Sequence, residues 1–193
     1  MTVWKAVCGW VMIVLVASMS PLSAATPQGL EIAAAPIPLA DLDLRDAKGN
    51  TLHLADFKGH PLLLNLWASW CAPCVAELPA LDRLYQKQDG SLAILALSLD
   101  RGGLIAAQNT YHRLGISHLP LAIDDARQSV EAWHVPTLPT TLLIDAEGRE
   151  IGRFIGSVHW DQPQAEALLN ALRLGQGLKP TMAPPVLRLN SAP

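Results

Sequence analysis

The chain has 193 residues, a formal net charge of −3 and hydrophobic side chains at half of its positions. That length accommodates one ordinary domain with appendages. The weak negative charge lacks the basic footprint of a nucleic-acid binder, so no nucleic-acid partner is expected.

Residues 1–25 read as an export segment. Lys5 is the only charge before the apolar run Ala6 to Met19, and Ser23-Ala24-Ala25 offers small residues for cleavage. The alternative is an uncleaved membrane anchor, because Ala6 to Ala25 just reaches the ~20 residues that span a bilayer. Both readings place the remainder in an exported, periplasmic-type compartment, either free or tethered. Lys5 stands where a lipoprotein signal needs an apolar residue, so Cys8 is not expected to carry a lipid.

Residues 26–38, rich in Ala and Pro, read as a linker, and the folded domain is expected over residues 39–174. Leu42-Asp43-Leu44 and Thr51-Leu52-His53-Leu54 alternate in polarity around the turn Asp46 to Asn50, which predicts a hairpin. Leu62 to Trp67 is apolar except for Asn65, as befits a strand buried on both faces. Asn65 is expected to be buried and hydrogen-bonded. From Val75 to Gln88, the residues Val75, Leu78, Leu81, Leu84 and Tyr85 recur at helical spacing, and Pro79 should kink that helix. A second buried strand is read at Leu92 to Leu99, then a helix at Leu104 to Leu114 and a short strand at Leu119 to Ile123. Gln128 to Trp133 reads as a short helix, Thr140 to Ile144 and Glu150 to Ile155 as a hairpin, and Pro163 opens a last helix. Residues 175–193, with four prolines from Lys179 onward and no periodicity, read as a disordered tail. Alternating strands and helices of this kind make an α/β domain.

The chemistry concentrates in Trp70-Cys71-Ala72-Pro73-Cys74. Two cysteines at this spacing form a small disulfide or pinch a metal. Cys71 falls at the start of a helix, where unpaired N–H groups and the helix dipole favour an anion. It is therefore the expected attacking thiolate, with Cys74, one turn in, as the buried resolving thiol. No second ligand pair follows at metal-site spacing, and haem attachment would need His where Val75 stands. A bridge closing so short a loop stabilises little through chain entropy, which argues against a purely structural role. Redox exchange is the reading that remains, with the disulfide itself in place of any cofactor and with no metal.

Two further residues stay open at this level. Pro139 directly precedes a core strand and reads as an ordinary turn proline, since nothing in the residues alone favours the rarer cis bond. Glu77 shares a helix face with Cys74: a solvated carboxylate if that face is exposed, a proton acceptor with raised pKa if it is packed. The six histidines are scattered singly and read as structural or surface residues.

The Cys71–Cys74 motif, Leu138-Pro139-Thr140 before a strand and the order of elements resemble thioredoxin-fold proteins. More narrowly, Leu64 to Cys74 and Leu138 to Asp145 resemble the exported TlpA/ResA/DsbE-type thiol–disulfide oxidoreductases, with the likeness running from Leu39 to Leu174. It implies a thioredoxin-like α/β fold: a central mixed sheet flanked by helices, an N-terminal β-hairpin, and an inserted helix and strand, here Leu104 to Ile123, before a cis Pro139. It also implies that Cys71, Cys74, Glu77 and Pro139 are catalytic, while Trp70, Ala72, Pro73 and Leu138 meet the client. Asn65 stands where thioredoxin carries a buried aspartate, so that aspartate's proton relay does not carry over. The implied function is reduction of client-protein disulfides by a monomer re-reduced by a membrane electron donor, in settings such as cytochrome c maturation or oxidase assembly. A disulfide oxidase or isomerase, and a copper-binding assembly module built on the two thiolates, stay open beside it.

Overall fold

Every residue of the strand Leu62–Trp67 is buried, as its unbroken apolar run requires. It is the fourth of eight strands in a computed structural model that describes residues 28–186. The expected export segment lies outside the described residues. The strands are β1 (Gly29–Pro38), β2 (Leu44–Asp46), β3 (Thr51–Leu52), β4 (Leu62–Trp67), β5 (Ala93–Ser98), β6 (Leu121–Ile123), β7 (Thr140–Ile144) and β8 (Arg149–Ile155). The helices are α1 (Ala72–Gln86), α2 (Gly103–Leu114), α3 (Gln128–Ala132) and α4 (Pro163–Arg173).

The sheet runs in the order β1-β8-β7-β4-β5-β6-β2-β3. β4, β5 and β6 are parallel neighbours, and β7 and β8 join on the other side as antiparallel strands. Because successive side chains of a strand face opposite ways, β4 feeds two cores. Leu62, Leu64 and Leu66 pack with Leu97, Leu142 and Trp133 on one face. Leu63 and Trp67 pack with Leu78 and Leu81 of α1, Tyr111 of α2 and Leu168 of α4 on the other. The mixed sheet flanked by helices, the hairpin β2–β3 and the inserted α2–β6 unit all stand where the sequence places them.

Three expectations need correction. The stretch read as a linker forms β1, which pairs antiparallel with β8 from Gly29↔Ile155 to Pro38↔Arg149. Its prolines, Pro36 and Pro38, are tolerated because β1 is an edge strand, where missing donors cost no ladder bond. The stretch read as a disordered tail is placed against the domain as far as Val186. Leu178, Met182 and Val186 pack on the core, and Val186 forms a bridge with Val158. Finally, α1 begins at Ala72, a turn earlier than its apolar periodicity indicates, and runs on to Gln86 with Pro79 inside it. Among the described residues, no helix is long and apolar enough to cross a membrane.

Candidate active site

The end of β4 delivers the chain to the cysteines, and a buried carboxylate shapes the connection. Asp100, just beyond β5, accepts hydrogen bonds from the Ser69 backbone N–H (3.0 Å), the Ser69 hydroxyl (2.7 Å) and the Ser98 hydroxyl (2.9 Å). With this loop held, Cys71 takes the N-cap of α1 in an extended conformation, and the Cys74 N–H donates to its sulfur at 3.3 Å. A thiolate at that sulfur would accept the same bond and face the positive end of the helix. Pro73 fits the first turn because a helix has no partner for the N–H it lacks.

Cys71 and Cys74 are joined as a disulfide with Cα atoms 5.3 Å apart. The two sulfurs are not equivalent. Cys71 lines a groove of about 430 Å³, together with Trp70, Ala72, Pro73, Leu138 and Arg127, whereas Cys74 is 1% exposed and absent from the lining. Trp70 is 64% exposed at the rim of this groove.

The Leu138–Pro139 bond is cis. Pro139 sits just before the ladder of β7, so an interior strand carries it without losing a donor. Its carbonyl accepts from the Gly156 N–H at 2.9 Å, and the neighbouring Ser157 hydroxyl donates to the Pro73 carbonyl at 3.1 Å. The end of β8 thus ties the proline loop to the start of α1. Val135, Pro136, Thr137 and Leu138 of that loop line the groove, and Pro139 does not.

Glu77 is wholly buried, which sets aside the surface reading. The Trp160 indole N–H donates to its Oε1, while Oε2 has no hydrogen-bond partner. Burial away from water pushes its carboxyl up to about 8, and the bond from Trp160 opposes that rise. Asn65 is buried, and its amide donates to the Thr141 hydroxyl at 3.0 Å, as expected of a polar residue inside an apolar strand. Four contributors escaped sequence reasoning: Trp160, Ser157, Asp100 and Arg127. Asp100 could have been found as a carboxylate at the end of a buried strand. The others carry no local signal. Among the described residues, no three His, Cys, Asp or Glu side chains converge as a metal site.

Residues 35–149, more than half of the chain, match the AhpC/TSA family. The chain belongs to the AhpC/TSA family. Within this AhpC/TSA frame it is similar to the thiol-disulfide oxidoreductase ResA of Bacillus thuringiensis (strain Al Hakam), at 36% identity over 112 residues, covering 58% of this chain and 64% of that protein. ResA of Bacillus subtilis (strain 168) is 34% identical over 117 residues, covering 60% and 64%. The chain therefore spans a little less than two thirds of the length of these curated relatives. Among solved structures, the exposed lipoprotein thioredoxin Etrx1 of Streptococcus pneumoniae strain TIGR4 superposes with a TM-score of 0.60 at 28% identity, covering 70% of this chain and 99% of that one. StoA from Bacillus subtilis superposes with a TM-score of 0.54 at 22% identity, covering 64% and 92%, a likeness of fold alone. The fold of this AhpC/TSA member is thioredoxin-like.

Proposed function

We propose that this chain is an exported thiol–disulfide oxidoreductase that reduces disulfides of client proteins through Cys71 and Cys74. The observation that carries this reading is the asymmetry of the pair. One sulfur caps a helix and opens onto a groove, and the other is buried one turn in beside a buried carboxylate.

The reaction follows from that asymmetry. The Cys71 thiolate attacks one sulfur of a client disulfide. A Cys71–client S–S bond forms, the client's own S–S bond breaks, and the expelled client thiolate takes up a proton. Cys74 then passes its proton to the Glu77 carboxylate and attacks the Cys71 sulfur. The Cys71–Cys74 bond forms and the second client thiolate leaves, to be protonated in turn. Two electrons pass from the protein to the client, whose two thiolates take their protons from solvent; the proton left on Glu77 and the one Cys71 gave up on ionising return to solvent and close the balance. Burial raises the Glu77 carboxyl to about 8, so in its ionised form it is a stronger base than an ordinary carboxylate and better able to take the Cys74 proton.

The apolar segment at residues 6–19 supports an exported protein acting in an oxidising compartment; we take it to work as a monomer whose dithiol is restored by a membrane electron donor. Client thiols in cytochrome c maturation or oxidase assembly fit such a setting. The test is the reduction potential of the Cys71/Cys74 couple. A value near −270 mV, that of thioredoxin, is expected of a reductase, and one near −120 mV would make the protein an oxidase instead. No reversible couple at all would leave the two thiolates as a metal-binding or structural pair.

A further inference from the structure

We propose that Arg127 is the specificity-determining residue of the client groove, and that it selects clients carrying an Asp or Glu side chain close in sequence to the attacked cysteine. The inference rests on the oxidoreductase reading above and names what that site prefers.

Three independent observations converge on Arg127. First, among the described residues it is the only charged one in the groove lining, which it shares with Trp70, Leu99, Val130, Val135 and Leu138. An apolar wall of this kind weakens the screening that water gives an exposed charge. Second, its charge is uncommitted. Its Nε is buried without a hydrogen-bond partner, and among the described residues it joins no ion pair. Arg45, Arg83, Arg149, Arg153 and Arg173 each meet a carboxylate; Arg101 and Arg113 do not, but neither of them lines the groove. A guanidinium offers a planar fork of donors that matches a carboxylate, and here that fork has no partner among the described residues.

Third, the side chain is held in place. The Arg127 Cζ lies 5.9 Å from the centre of the Trp70 ring, and Trp70 immediately precedes the attacking sulfur. That cation–π contact favours a guanidinium position over Trp70, on the groove that Cys71 also lines, before any client arrives. The backbone adds to this. Arg127 adopts a left-handed conformation (φ 58°), which glycine or asparagine would take more readily. The turn is imposed by Asp124, whose carboxylate accepts from the N–H groups of Gln128 (3.1 Å) and Ser129 (2.8 Å). The Arg127 N–H in turn donates to the Asp124 carbonyl at 3.1 Å. A residue suited only to the turn would be small; this one carries a long cation into the groove. The fitting occupant is an extended client segment with its cysteine at Cys71 and a carboxylate over Arg127, charge matched to charge.

The test compares second-order rate constants for oxidation of the reduced protein by peptide disulfides that differ at one position beside the cysteine: Glu, Gln or Lys. Each variant is judged by the ratio of its own rates, so general losses cancel. The wild-type protein is expected to favour the Glu peptide over the Gln peptide by about fivefold, a ratio that shrinks in high salt. R127Q should bring the ratio close to one, and R127E should invert it in favour of the Lys peptide. Equal rates for all peptides in the wild type, or a Glu preference retained in R127Q, would overturn the assignment while leaving the oxidoreductase reading intact. No exchange with any peptide would remove both together.

Discussion

The Trp160 indole N–H donates to the carboxyl of Glu77 across a separation of 83 residues, with both side chains fully buried. This contact links the last loop before α4 to the helix that carries the cysteines. It leaves the second Glu77 oxygen without a partner, so ionisation of Glu77 puts a poorly compensated charge in the core.

A pH dependence follows. The folded-state pKa of Glu77, about 8, lies above its ordinary 4.5, so the folded protein holds a proton that the unfolded chain releases. The stability this contributes is complete below pH 4.5 and is lost as pH rises towards 8, at up to about 1.4 kcal/mol per unit. Glu77→Gln carries no such charge. Urea unfolding at pH 5 and pH 8 should therefore show the variant close to wild type at the lower pH and more stable at the higher. Parallel stability curves for the two proteins would mean that Glu77 is not the group that titrates.

The inequivalence of the sulfurs can be read from trapped intermediates. Cys74→Ser should accumulate mixed disulfides with clients through Cys71, because the resolving thiol is gone while the groove-facing one remains. Cys71→Ser should accumulate few, since Cys74 is 1% exposed. Non-reducing gels and mass spectrometry of the adducts would decide it. Trapping chiefly through Cys74 would reverse the roles assigned to the two residues.

Asp100 is expected to matter beyond its own fold energy. Asp100→Ala leaves the Ser69 N–H and the Ser69 and Ser98 hydroxyls without an acceptor in a largely buried loop. The cost should be on the order of 2–3 kcal/mol by chemical denaturation. Because Ser69 lies two residues before Cys71, the same change should slow alkylation of the reduced Cys71 thiol as its helix-cap geometry loosens. Unchanged alkylation in a destabilised variant would confine Asp100 to a structural role.

Much of this architecture is written locally. The run Leu62–Trp67, the helical recurrence of Leu78, Leu81 and Leu84, and the alternation around Asp46–Asn50 each carry their own period, so strand, helix and hairpin are legible without partners. The cysteine spacing at the opening of a helix likewise names its chemistry on the spot. β1 and the segment from Leu178 to Val186 are different. Composition marks both as loose, and they are ordered only because β8 offers Gly29–Pro38 a free edge and the core offers Leu178, Met182 and Val186 an apolar surface.

The same division runs through the site. Sequence alone determined that Cys71 would cap a helix with Cys74 one turn behind it, because a helix terminus is a property of neighbouring residues. Only the tertiary structure decided that Glu77 is sealed from water against Trp160, and that Arg127 reaches a groove it shares with Cys71. Burial and electric field are set by what packs around a group. In this fold, those neighbours arrive from strands and loops far away along the chain.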